Sequence, residues 1–187
     1  MKSINILLLI CFVLMLCSSC KVTDSQNETE SISYYIPTIE ETTKAYKIDN
    51  NTVNLSSISF IIPQNFEPET ENGELLLKSK DSTVEISVED ATETTDDFDT
   101  YIQETTEYFR QMGLSPSAVE ETYIGNYTSK RFAIDTFAAT SSNVKIFCYF
   151  IKTNKCKIVV NIVSKDGEII TFEQADKLVE KFEFTES

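Results

Sequence analysis

The chain has 187 residues, 41% of them hydrophobic, with twelve Phe and eight Tyr against four Gly and four Pro, a composition that suits one packed domain and excludes collagen-like or wholly disordered architecture. It contains no His, which removes the usual general base and the commonest metal ligand, and with them His-containing hydrolytic triads and His-ligated catalytic zinc. Sixteen Lys and Arg against thirty Asp and Glu give a formal net charge of −14, so nucleic acid, whose phosphates need basic patches, is a poor partner.

The N-terminus opens with Met1, Lys2 and Ser3 and continues as an apolar run from Ile4 to Leu16 broken only by Asn5. A basic start and so short a run point to a secretory signal, since a spanning helix needs about twenty apolar residues. The run ends in Leu16, Cys17, Ser18, Ser19 and Cys20, which resembles the lipobox of bacterial lipoproteins, with small residues at the cut and Cys20 as the lipidated residue. Cys17 departs from that pattern, standing where an aliphatic residue is usual. The resemblance implies a signal peptide over residues 1–19, attachment to the cell membrane through lipid on Cys20, and a position on the extracytoplasmic face of a bacterium. An ordinary signal peptide and an uncleaved anchor are the alternatives.

Residues 20–52 are rich in Ser, Thr, Glu and Asn and read as a flexible tether, about thirty residues with a root-mean-square reach near 30 Å. Tyr34, Tyr35, Ile36 and Pro37 stand out within it, either as a docking motif or added strand, or as an apolar patch in a disordered tail.

From Val53 the pattern tightens, and a domain is expected over 53–187. Ile58–Ile62, Glu74–Lys80 and Val84–Glu89 read as strands, the last by its alternation of Val84, Ile86 and Val88 with polar residues. A helix is expected to start near Thr95 or Asp96 as a cap, to carry Phe98, Tyr101, Ile102, Tyr108, Phe109 and Met112 inward, and to stop with Gly113 at C′ before Pro116. Val119–Ile124 and Tyr127–Phe137 follow as a hairpin about Gly125 and Asn126, then Val144–Lys152 and Cys156–Ser164 as a second. Thr171 and Gln174 form a capping box for a closing helix with Ala175, Leu178, Val179 and Phe182 in one stripe. The order βββαββββα, built of sequential hairpins, predicts an α+β fold with an antiparallel sheet sandwiched by helices.

Cys148 and Cys156 fall in that second hairpin. A three-residue loop sets their sulfurs about four residues apart along the sheet and a two-residue loop sets them on opposite faces. Neither geometry meets the limit of about 7 Å between Cα atoms for a disulfide, so both are expected as buried free thiols.

The element order and three local strings resemble the PsbP-like domains, to which the bacterial DcrB lipoproteins are also similar: Ile58-Ser59-Phe60-Ile61-Ile62-Pro63, Asp97-Phe98-Asp99-Thr100-Tyr101, and the closing helix and tail from Ala175 to Phe184. The family often has a Trp after the Pro; here Phe66 stands nearby and the chain has no Trp. What the resemblance implies is an antiparallel sheet between helices in an extracytoplasmic accessory or adaptor protein, with no catalytic motif and no particular ligand.

Two polar groups remain. Glu89, Asp90, Glu93, Asp96, Asp97 and Asp99 are dense enough in oxygen to suggest calcium, though their spacing matches no EF-hand loop, and a helix N-terminus also gathers acids. Lys130, Arg131, Lys145, Lys152, Lys155 and Lys157 are the one clustering of positive charge in a domain that totals −12 after Val53, from twelve basic and twenty-four acidic residues. Of these, Lys145, Lys152, Lys155 and Lys157 are the candidate contacts for an acidic protein or small-molecule partner. The expected function is a non-catalytic binding or adaptor domain on a lipid-anchored protein, without a cofactor. The alternative is a calcium-binding or metal-dependent hydrolytic protein using the carboxylates from Glu89 to Asp99.

Overall fold

The computed structural model describes residues 46–71, 74–93, 97–136, 143–165, 167–169 and 171–186. The chain divides into two units, residues 1–43 and 44–187, and every described residue lies in the second. The leader, Cys20, the segment Tyr34–Pro37, Asp96 and the turn at Asn72 and Gly73 lie outside the described residues.

In chain order the elements are β1 (Lys47–Asp49), β2 (Thr52–Asn54), β3 (Ile58–Ile61), β4 (Phe66–Glu71), β5 (Glu74–Ser79), β6 (Val84–Asp90), α1 (Phe98–Gln111), β7 (Ser115–Pro116), β8 (Glu120–Ile124), β9 (Tyr127–Asp135), β10 (Val144–Lys152), β11 (Lys157–Lys165), α2 (Phe172–Val179), a 3₁₀ turn (Glu180–Phe182) and β12 (Thr185–Glu186). All strand pairings are antiparallel. The main sheet runs β4-β5-β6-β11-β10-β9, with β7 and β8 both along the outer edge of β9, and a small sheet runs β1-β2-β3-β12.

The fold class is α+β, as expected, with antiparallel sheets and, among the described residues, two helices. Five short strands were not expected: β1, β2, β4, β7 and β12. Asn50 and Asn51 both take positive φ (44° and 71°), the conformation of a two-residue type I′ loop, and this turns β1 back onto β2, so that residues 47–52, expected as part of the tether, belong to a hairpin. Strand β4 lacks an apolar strand pattern because it carries Pro68 and three acids, residues found on a sheet edge, which is where it lies.

Consecutive residues on β10 face opposite ways, and this divides the core in two. Phe147, Tyr149 and Ile151 join Val53, Ile58 and Phe60 of the small sheet and Ala175, Leu178, Val179 and Phe182 of the closing helix in one cluster, with Phe60 and Phe182 rings 5.4 Å apart. On the other face Phe150 meets Phe98 at 5.9 Å and Phe132 at 5.8 Å, and Phe132 meets Phe109 at 6.4 Å. The two helices therefore cover opposite faces of the main sheet.

Asp97, not Thr95 or Asp96, caps α1, its carboxylate accepting from the N–H groups of Asp99 at 3.1 Å and Thr100 at 3.2 Å. At the other end Gly113 sits at C′ with φ 79°, as read from the sequence; its N–H donates to Arg110 O and that of Leu114 to Phe109 O, the paired bonds of a Schellman motif. Phe98, Ile102 and Phe109 are buried, whereas Tyr101, Tyr108 and Met112 are only half-buried. Thr105 and Thr106 take the remaining inward positions, their hydroxyls donating to the carbonyls of Tyr101 and Gln103. The Thr171–Gln174 capping box of α2 is present in both halves.

The second hairpin has neither expected loop. Lys152 pairs with Lys157, leaving a four-residue loop, and Cys148 lies opposite Asn161. Thr153 fixes that length, its hydroxyl accepting from Cys156 N at 2.8 Å while its N–H donates to Cys156 O at 3.0 Å. Both cysteines are free and buried. Cys156 belongs to the loop and donates its S–H to Ser57 O at 3.3 Å.

Candidate functional site

The β10–β11 tip gathers three of the four candidate lysines. Lys152 and Lys157 face each other as the last cross-strand pair, and Lys155 projects from the loop. The Lys155 N–H donates to Glu186 at 3.2 Å, so β12 buttresses the loop; the Glu186 carboxyl is held below its usual range by the Thr153 hydroxyl first and by the Lys155 N–H and charge after it. Lys145 is not part of this group. It sits seven residues back on β10, about 23 Å away at strand rise, at the opposite end of the sheet. Lys130 and Arg131 are engaged elsewhere, Lys130 with Asp99 at 2.5 Å and Arg131 beneath α2.

Among the described residues, the acids between β6 and α1 do not converge. Asp90 turns back to accept the Ser57 N–H at 2.6 Å and the Thr92 N–H at 3.1 Å; burial raises its pKa, but these hydrogen bonds, with that of the Thr92 side chain, outweigh it and the carboxyl is lowered. Asp97 caps α1, Asp99 pairs with Lys130, and Glu93 is exposed. Among the described residues no group of three or more His, Cys, Asp or Glu side chains is placed to hold a metal ion. Of the described carboxylates, Asp90 closes the loop onto Ser57 and Thr92, Asp97 caps α1 and Asp99 pairs with Lys130.

A polar cluster that the sequence reading missed lies under α2. Arg131 and Tyr149 are cross-strand partners on the face that α2 covers, and Asp176 reaches down between them. Asp176 accepts from the Tyr149 hydroxyl at 2.8 Å with one oxygen and pairs with the Arg131 guanidinium through the other. Arg131 also meets Glu120 at 3.1 Å and lies over the Phe172 ring, 4.3 Å from its centroid. Burial, then the Asp176 hydrogen bond and charge, push the Tyr149 hydroxyl far up, so it stays protonated at neutral pH. Burial lowers the Arg131 pKa, but Asp176 and Glu120 outweigh it and the guanidinium remains charged. With one carboxylate oxygen bonded to Tyr149 on the sheet and the other to Arg131, the arrangement clamps the helix to the sheet. The signal for it was an Arg at an inward strand position, which needs a buried acid to balance it.

No protein-family model and no curated protein matches the chain. Solved structures do overlap it in part. A protein from Bacteroides thetaiotaomicron is similar over 70% of this chain and 45% of its own, at 12% identity and a TM-score of 0.46, so the chain spans under half of that protein's length. The cyanobacterial PsbP of Synechocystis sp. PCC 6803 is similar over 70% of this chain and 86% of its own, at 8% identity and a TM-score of 0.45. The Saccharomyces cerevisiae Ran-binding protein Mog1p is similar over 67% and 78%, at 13% identity and a TM-score of 0.38.

Proposed function

We propose that the chain is an extracytoplasmic lipoprotein, anchored to a bacterial membrane through Cys20, whose folded domain is a non-catalytic binding or adaptor module that meets an acidic protein partner at the β10–β11 tip. The observation that carries this reading is the placement of Lys152, Lys155 and Lys157 on one turn of a domain totalling −12. Setting Lys152 directly opposite Lys157 is unfavourable for the hairpin by itself, since like charges across strands repel. On so acidic a domain a local positive tip is what draws an acidic partner from a distance and sets its orientation. The apolar leader ending at Ser18, Ser19 and Cys20 supports the anchor.

Two measurements test the proposal. Cys20→Ala is expected to release the chain from membranes or leave an unprocessed precursor, and wild-type chain that fractionates as soluble protein with an unmodified N-terminus refutes the anchor. A partner recovered with the wild-type chain from solubilised membranes is expected to dissociate with rising salt and to bind a Lys152→Glu, Lys155→Glu, Lys157→Glu variant less. Full, salt-insensitive binding by that variant refutes the tip as the contact surface.

A further inference from the structure

The main sheet has two outer edges of opposite character. On one side β4 carries Pro68 between Glu67 and Glu69, with Glu71 beyond, a pattern that resists a further strand because Pro lacks the N–H and the acids repel. On the other side β8 carries neither Pro nor Lys, and among the described residues no strand pairs with its outer side.

The β8–β9 hairpin fixes which groups of β8 face out. Gly125 takes φ 58° at the first position of a two-residue turn and Ile124 pairs with Tyr127, so Ile124, Thr122 and Glu120 direct their N–H and C=O groups to β9. The phase holds further along β9, where Ala133 O accepts the Ser117 N–H at 2.8 Å on that same side. The N–H and C=O of Glu121 and Tyr123 therefore point away from the sheet. Tyr123 is 70% exposed and Val119, just before the strand, 43%; these are two of the four large apolar side chains so exposed among the described residues.

An edge with free backbone groups accepts another strand, and the sequence of β8 selects which. Its acids, Glu120 and Glu121, stand at the start, and Tyr123 and Ile124 at the end. Laid antiparallel on itself about Thr122, the strand sets Glu121 opposite Tyr123 of the second copy and Glu120 opposite Ile124, so no acid faces an acid. A shift of two residues one way sets Glu121 against its own copy, and the other way sets it against Gly125 in the turn.

We propose that two copies of this chain associate through β8, antiparallel and centred on Thr122, joining their main sheets into one. Glu121 and Tyr123 then form two hydrogen-bonded pairs across the axis, with two N–H···O=C bonds in each. Five residues a side make a contact smaller than permanent interfaces, so dimer and monomer exchange. Each domain totals −12, so salt, which screens repulsion between the copies, strengthens the association, the opposite of its effect on a contact made by the lysine tip. The two readings use different strands and fail independently.

The test uses the purified full-length chain in detergent. Sedimentation velocity at rising concentration is expected to show a monomer–dimer equilibrium that salt shifts toward dimer. Tyr123→Pro removes an outward N–H and no hydrogen bond within the chain, and is expected to weaken association at least about tenfold with an unchanged circular dichroism spectrum. Thr122→Cys reads the register and keeps the test decisive should the Pro variant fail to fold. In the proposed pairing Thr122 meets its own copy as a non-hydrogen-bonded pair, about 4.5 Å between Cα atoms and within disulfide range, whereas the two copies of Glu121 lie about 8 Å apart. Mild oxidation should link Thr122→Cys into dimers and leave Glu121→Cys at the level of wild type, the control for Cys17 and Cys20. A chain that stays monomeric up to millimolar concentration, association that salt weakens or that a folded Tyr123→Pro variant retains in full, or equal linking of the two Cys variants overturns the proposal.

Discussion

Replacing Asp176 with Ala breaks two part-buried interactions at once, and the structure allows the cost to be worked out. The Tyr149 side chain is fully buried, so its hydroxyl, deprived of its acceptor, loses about 1–2 kcal/mol. Arg131, with its side chain 15% exposed, keeps Glu120 at 3.1 Å, but Glu120 is half exposed and replaces Asp176 only in part, which adds about 1–2 kcal/mol. The sum is about 3 kcal/mol, or a fall in Tm of about 9 °C for a domain of this size. Tyr149→Phe, which removes the hydroxyl alone and leaves the ion pair, should cost about 1 kcal/mol. The double variant should be less destabilised than the sum of the singles by about 1 kcal/mol, because the hydroxyl–carboxylate bond can be lost only once. Urea unfolding followed by tyrosine fluorescence and circular dichroism measures all three. An Asp176→Ala variant within about 0.5 kcal/mol of wild type, or strict additivity, would refute the idea that this cluster clamps α2 to the sheet.

Gly113→Ala should lower stability by about 1 kcal/mol, measurable by thermal melting, because an added Cβ meets no atom within 4 Å and the penalty comes only from holding Ala at φ 79°. The lowered pKa of Asp90 makes its contribution one that is present above its unfolded value, about pH 4, and lost as pH falls through the lower folded value; Asp90→Asn should therefore flatten the acid limb of the stability curve below about pH 4, and an unchanged limb refutes the role given to Asp90. Cys148 and Cys156 should both resist alkylation in the native protein and both react after unfolding, with the mass of two free thiols; burial also pushes the Cys148 thiol well above its ordinary range, which keeps it protonated. A mass two hydrogens lower that stays unalkylated after denaturation would mean a bridge.

The features legible in the sequence were those written in short-range chemistry. Gly113 ended α1, Thr171 and Gln174 capped α2, and the alternation along β6 was visible because each depends on residues within a few positions. Chain-distant pairings were not. The register at Lys152 and Lys157 is set by Thr153 folding back on Cys156, a loop closure that apolar periodicity does not reveal, and the shift moved Cys156 out of its expected strand. The basic residues were grouped by closeness in sequence, but a nine-residue strand carries Lys145 to the far end of the sheet from Lys152. The Arg131, Tyr149 and Asp176 cluster joins two strands and a helix across 45 residues, and only the fold brings its members together.

The pairing of β12 with β3 has a practical consequence for anyone handling this protein. Thr185 and Glu186 lie against Ser59 and Ile58, and Glu186 receives the Lys155 N–H, so β12 lies beside the lysine turn. An affinity tag or fluorescent group placed next to β12 would crowd the surface proposed for partner contact, and an acidic tag would neutralise it. The turn between β5 and β6 at Asp81 and Ser82 is a better place for a label. Val84 beside it pairs with Ser164 while Asp90 pairs with Ile158, which puts that exposed turn at the far end of the sheet from the hairpin tip.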